Sequence, residues 1–183
     1  MTRPIIVALY APADRPERFE KALDAGADAV IVDLEDAVTA SRKADARAAL
    51  PEFAAAWQAR GERAPAVQVR INGSGSSEYD ADLAAIVDLP AAFGVRLPKT
   101  QSAADVEAIL TAAPGRAVHA LLESALSIER AFEIAGAGVS SLATGEADLR
   151  AELGVPAGSA GEAGLAWSRS RVVNAAAAAG LPA

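Results

Sequence analysis

Six times along the chain a short apolar run gives way to a segment with helical spacing, and this beat constrains the fold more than any other feature. The apolar runs are Ile5–Tyr10, Ala29–Leu34, Val67–Ile71, Phe93–Leu97, Val118–Leu122 and Val139–Ala143. The helical stretches are Pro16–Ala25, Ser41–Arg60, Glu78–Asp88, Ala103–Ala112, Ser127–Ala135 and an alanine-rich one over Gly164–Ala179. Successive strand-then-helix units imply parallel strands joined by right-handed crossovers. Strands covered on both faces read as near-continuous apolar runs, as these do. The glycine clusters at 73–75, 136–138 and 158–164 fall between elements and mark no boundary, so 183 residues are expected to form one domain, 1–183.

Such an array is either a doubly wound open sheet or most of a barrel, and the polar residues decide between them. Asp33, Glu35 and Asp36 end the second strand, Arg70 and Asn72 the third, and Lys99 the fourth. Glu123 ends the fifth, and 144–148 follow the sixth. An open sheet concentrates function at one switch point, usually with a glycine-rich turn after the first strand. Here that turn is Ala11-Pro12-Ala13-Asp14-Arg15-Pro16, with no glycine. Polar groups after nearly every strand fit a TIM-type (β/α) barrel, whose site is assembled from all its βα loops.

Composition closes several routes. Lys plus Arg number 17 against 24 Asp plus Glu, giving −7, which opposes nonspecific binding to nucleic acid. No apolar stretch approaches the length of a membrane span, and the N-terminus lacks a signal-peptide layout. With one histidine and no cysteine, a His- or thiolate-based zinc site is excluded. A cytoplasmic protein with no membrane partner is the simplest expectation.

Glu123 and Asp148 are the candidate metal ligands, because two carboxylates on adjacent strand ends offer a hard oxygen site for Mg²⁺. Against this stand a solvated strand-end role for Glu123, a helix N-cap role for Asp148 and Glu146 as a substitute ligand. In Val67-Gln68-Val69-Arg70, alternation puts Gln68, Arg70 and Asn72 on one face, pointing into the barrel mouth. There Arg70 can grip a substrate carboxylate, or pair with Glu35 or Asp36. Glu35 and Asp36 join Arg70 as candidate catalytic groups, with one or two of Asp33, Glu35 and Asp36 holding metal-bound water. Arg15 and Lys99 are further candidate substrate-binding groups, set against a helix-start role for neighbouring Asp14 and a plain surface role for Lys99. His119 is expected to be a hydrogen-bonded core residue.

The motifs Ala11–Phe19, Asp28–Val38, Val69–Asn72, Leu97-Pro98-Lys99, Leu122–Ala125 and Gly145–Leu149 occur in one order. With the Trp167–Val173 segment of the last helix, the chain resembles the citrate lyase beta subunit-like proteins of the HpcH/HpaI aldolase superfamily. The resemblance implies a TIM barrel that binds Mg²⁺ and cleaves or forms carbon–carbon bonds, mostly in acyl-CoA thioesters. It implies metal binding by Glu123 and Asp148, an oxo-acid carboxylate on Arg70, and CoA near Asp14 and Arg15. Three departures accompany it. Ala13 stands where the family has glycine, the glutamate of Gly-Ala-Glu-Asp-Leu has moved to Glu146, and the chain ends where a seventh strand would begin. By resemblance the last two strands are lacking, along with the segment that gives a catalytic carboxylate to a neighbouring subunit in several relatives.

The function expected is therefore Mg²⁺-dependent cleavage of a 3-hydroxyacyl thioester to an acyl thioester and an oxo acid, or the reverse. The general base is unassigned, with Asp36 or a metal-bound water as substitutes. Two other readings stand beside it: a non-catalytic remnant that binds a small oxo acid or a partner subunit, and a fragment of a longer enzyme. Two unpaired sheet edges would favour self-association into a homo-oligomer.

Overall fold

The computed structural model describes residues 5–181. Its strands are β1 (Ala8–Pro12), β2 (Ala29–Asp33), β3 (Ala66–Arg70), β4 (Gly94–Leu97), β5 (Val118–Leu122) and β6 (Ser141–Thr144). The helices are α1 (Phe19–Leu23), α2 (Lys43–Gln58), α3 (Tyr79–Val87), α4 (Ala103–Ala112), α5 (Ala125–Glu129), α6 (Ala131–Gly136), α7 (Glu146–Leu153) and α8 (Ser159–Ala178). This is an α/β fold in two compact units, Met1–Arg96 and Leu97–Ala183. Among the described residues no helix is long and apolar enough to cross a membrane.

In the first unit β1 to β4 pair side by side, all parallel, in sequence order. The register sets Asp33 beside Arg70 and Arg70 beside Arg96. Residues in register share a face, so these three charged side chains stand together. The opposite face carries Val30, Val32, Val67, Val69 and Val95, all buried. The chain is poor in aromatics, yet four of its eight gather here. Phe53, fully buried, meets Phe19 and Phe93 edge-to-face at 5.1 and 6.0 Å, and Trp57 meets Phe93 at 5.0 Å.

β1 starts later than the apolar run suggests. Ile5, Ile6 and Val7 are exposed, and the N–H groups of Ile6 and Val7 donate to Asp28 Oδ2 at 3.0 and 2.9 Å. A carboxylate there satisfies donors that a ladder would otherwise use.

Asn72 also departs from its expected place. The strand ends at Arg70, so the two-residue alternation stops there. Asn72 instead donates its N–H and Nδ2 to Asp82 Oδ2 on α3, at 2.8 and 2.6 Å. Its Oδ1 accepts from Lys43 Nζ on α2 at 2.9 Å. Asp82, with no exposed surface, also accepts from Arg47 Nη1 at 2.9 Å. These bonds tie α2 and α3 to the turn after β3, and Asn72 is part of the scaffold.

In the second unit β5 and β6 run parallel, with α4 packed on β5 and α8 packed on α6 and β6. Ser102 and Ser124 begin α4 and α5 with reciprocal caps to Asp105 and Ser127. The single helix expected over Ser127–Ala135 thus starts at its cap three residues earlier and breaks at Arg130 (φ −89°, ψ 8°). His119 lies across from Ser141, its Nδ1 2.8 Å from the hydroxyl oxygen, as a half-buried hydrogen-bonded residue. Helix α7 was not legible as a helix in Gly145–Leu153, although Gly154 closes it with the left-handed backbone (φ 65°) common one residue past a helix end.

Candidate functional site

The first unit gathers its chemistry at the C-terminal ends of β1 to β4. Asp33 is wholly buried and accepts four hydrogen bonds. Two come from the N–H groups of Glu35 and Ala37 at 2.8 and 3.1 Å, and two from Arg70 Nε and Nη2 at 2.8 and 2.5 Å. Arg70 therefore presents its side edge to Asp33 as a fork. Its Nη1 lies 3.1 Å from Glu35 Oε2 and 3.6 Å from Asp36 Oδ2, and its guanidinium sits 4.9 Å over the Tyr10 ring. Burial opposes the charge on Arg70, but the hydrogen bonds and charge of Asp33, with the charge of Glu35, outweigh it and raise its pKa. The ion pairs with Glu35 and Asp36 are both present, and Asp33 is the stronger partner. Glu35 is buried, whereas Asp36 is 60% exposed.

Arg15 is exposed, its Nε 4.0 Å from Asp14 Oδ2. Asp14 is itself buried and held by Arg42 Nε at 3.2 Å. The turn after β1 thus places one exposed arginine beside a carboxylate already paired from α2's leading edge.

In the second unit Glu123 is only 7% exposed, unlike a solvated strand-end acid. Its Oε1 accepts from the backbone N–H of Lys99 at 2.6 Å. Lys99 adopts a left-handed backbone (φ 53°), a conformation that costs a non-glycine residue free energy, of order 1 kcal/mol or more. Lys99 thus acts on Glu123 through its main chain, a role that looking at its side chain could not suggest.

Glu123 Oε2 faces Gly145, where a Cβ would lie 2.5 Å from that oxygen and 2.6 Å from Glu123 Cβ. Only glycine lets the β6–α7 turn approach so closely. Gly145→Ala is accordingly expected to displace the Glu123 carboxylate and weaken Mg²⁺ affinity about 10- to 100-fold, the usual cost of disturbing a ligand's support. Calorimetric Mg²⁺ titration, with circular dichroism to confirm folding, checks this; unchanged affinity would contradict it.

Glu146 and Asp148 separate cleanly. Glu146 is engaged by Arg169, whose Nε and Nη2 donate to its two oxygens at 2.6 and 2.7 Å, with Arg150 3.7 Å away. The hydrogen bonds from Arg169 hold its pKa below the usual carboxylate value. Asp148 occupies the first turn of α7, not its N-cap, and is exposed, with no hydrogen bond or ion pair among the described residues. A carboxylate already committed to an arginine is a poor ligand, so Asp148 is the better donor.

The donor set suits Mg²⁺. Among the described residues no cluster of three or more His, Cys, Asp or Glu could hold a metal. Mg²⁺ does not need one, because it keeps several waters and takes one or two carboxylates. Glu123 and Asp148 would offer hard oxygens of that number.

The HpcH/HpaI aldolase/citrate lyase family model matches residues 7–183. A citrate lyase subunit beta-like protein of Mycobacterium tuberculosis is 44% identical over 147 residues, 80% of this chain and 49% of that protein. A (3S)-malyl-CoA thioesterase of Cereibacter sphaeroides is 36% identical over 152 residues, 82% of this chain and 52% of that protein. The chain thus spans about half the length of the curated relatives it matches. Among solved structures, the citrate lyase beta subunit of M. tuberculosis complexed with oxaloacetate and magnesium superposes with a TM-score of 0.77. It is 38% identical, and the match covers 95% of this chain and 74% of that one. On this evidence the chain belongs to the HpcH/HpaI aldolase/citrate lyase family.

Proposed function

We propose that the chain serves a Mg²⁺-dependent carbon–carbon lyase that splits a 3-hydroxyacyl thioester of CoA type into an acyl thioester and an oxo acid, or joins them. The six β/α units are read as part of a TIM-type barrel. The observation that carries the proposal is Glu123, buried and oriented by Lys99 N–H beside Gly145, with Asp148, which has no partner among the described residues, following on α7. Magnesium held there supplies Lewis-acid stabilisation of the oxo-acid oxygens.

The chain's own groups do the rest. Asp33 fixes Arg70 by its side edge, and an oxo-acid carboxylate would displace the looser Asp36 contact at Nη1, which aligns the scissile bond. Glu35, buried beside Nη1, helps to hold that arginine in place. Exposed Asp36 is the chain's candidate to take the proton of the 3-hydroxyl at Oδ2 as the carbon–carbon bond breaks. Arg15 is exposed and would reach a CoA phosphate, and Lys99 is exposed just past the end of β4 as a second candidate substrate-binding group.

Malyl-CoA is a fitting substrate for the test, because two reactions of it give different products. Carbon–carbon cleavage yields acetyl-CoA and glyoxylate, whereas thioester hydrolysis yields malate and free CoA. The lyase reading expects glyoxylate, detected as its phenylhydrazone, only when Mg²⁺ is present. Free CoA without glyoxylate would assign the chain a thioesterase reaction instead. Release of neither product, with oxo acid still bound, would favour a barrel that binds without cleaving.

A further inference from the structure

A second arginine in the first unit has no part in the scheme above. Arg96 lies in β4, one residue before its end, in register with Arg70, and is only 8% exposed. Its Nε donates to Gln68 Oε1 at 2.8 Å, and Gln68 is itself buried. Among the described residues no hydrogen bond or ion pair reaches its Nη1 or Nη2. The nearby acids are spoken for: Asp33 gives its oxygens to Arg70 and two backbone N–H groups, and Glu35 and Asp36 face Arg70 Nη1. Burial lowers the pKa of Arg96; Tyr10 opposes this and the Arg70 charge adds to it.

Burying a cation without a counter-charge is costly, and proteins keep such groups where something else completes them. Gln68 anchors the guanidinium by Nε, so the free end is the edge carrying Nη1 and Nη2. That edge suits a planar anion with two oxygens. A carboxylate fits, and a cation is excluded.

We infer that Arg96 is a carboxylate receptor separate from Arg70, and that it gives this chain a preference for an oxo acid carrying a second carboxylate. The ligand's identity as an oxo acid rests on the proposed function. The receptor itself does not require the metal.

The test titrates oxaloacetate and pyruvate in the presence of Mg²⁺, and succinate without it, into wild type, Arg96→Met and Arg96→Lys. Wild type is expected to bind oxaloacetate more tightly than pyruvate and to bind succinate. Arg96→Met is expected to weaken oxaloacetate about 10- to 100-fold, the usual range for a lost charge-assisted hydrogen bond. It should abolish succinate binding and leave pyruvate unchanged. Arg96→Lys keeps the charge but loses the fork, and should recover only part of the difference. Arg96→Met also leaves the buried Gln68 Oε1 without its donor, so circular dichroism and a melting curve establish that each variant is folded before it is titrated. An unchanged oxaloacetate-to-pyruvate ratio in Arg96→Met would overturn the inference. So would a wild-type protein that takes neither succinate nor oxaloacetate. Succinate bound through Arg96 in a protein indifferent to Mg²⁺ would sink the lyase reading and leave this one standing. Mg²⁺-dependent pyruvate binding with no Arg96 effect would do the reverse.

Discussion

Glu123→Ala is expected to abolish Mg²⁺-dependent turnover of a 3-hydroxyacyl thioester, and Asp148→Ala to reduce it below detection, while Glu146→Ala stays active. The contrast among the three acids is the informative part. Glu123 is buried at a strand end, and one of its oxygens is held by a main-chain N–H. Asp148 lies in the first turn of α7 with no hydrogen bond or ion pair among the described residues. Glu146, two residues away, spends both oxygens on Arg169. Its removal costs only an ion pair that is more than a third exposed, which is worth little. Steady-state assays across a Mg²⁺ series measure this directly. Full activity in Glu123→Ala, or loss in Glu146→Ala alone, would show that the ligands are misassigned.

Arg70→Met is expected to cost about 3 kcal/mol of stability, the range for removing one partner of a buried ion pair. Asp33 has no exposed surface, and without Arg70 it keeps only the two backbone donors from Glu35 and Ala37. Glu35, also buried, would lose the cation facing it. The pair should behave as a unit. Asp33→Leu combined with Arg70→Met is expected to be less destabilised than the two single effects summed, because neither charge is then left behind. Urea denaturation of the two single variants and the double variant gives the coupling energy. Additive effects would mean that Arg70 faces substrate alone and that Asp33 does not need it.

Much of the fold was legible because burial on both faces writes itself as apolar runs. Val118–Leu122 and Ala103–Ala112 fall where the sequence puts them. The edges were harder, because they depend on single polar contacts. Asp28 ends the first run by taking the N–H groups of Ile6 and Val7, and Ser124 moves a helix start by capping it. Helix α7 is short and starts directly inside a polar strand-end motif, so its only clear sequence mark is the closing Gly154.

At the candidate site, the residue types could be read from sequence but the partnerships could not. Nothing in Ala29–Asp33 says that Asp33 will stand in register with Arg70 and fill its fork; only strand pairing does that. The support of Glu123 by Lys99 is a main-chain effect and leaves no side-chain trace. Gly145 and Arg96 did leave traces. One is a glycine directly ahead of the acidic motif, and the other is a charge between Val95 and Leu97 in a run that is otherwise apolar.

The central claim is that this chain holds Mg²⁺ on Glu123 and Asp148 and binds an oxo acid with its help. Calorimetric titration of oxaloacetate into folded wild-type protein, with Mg²⁺ and then with excess chelator, tests it most directly. The account predicts tight binding with the metal, and binding weakened at least about tenfold when the chelator removes it. Equal affinity in both conditions would contradict it.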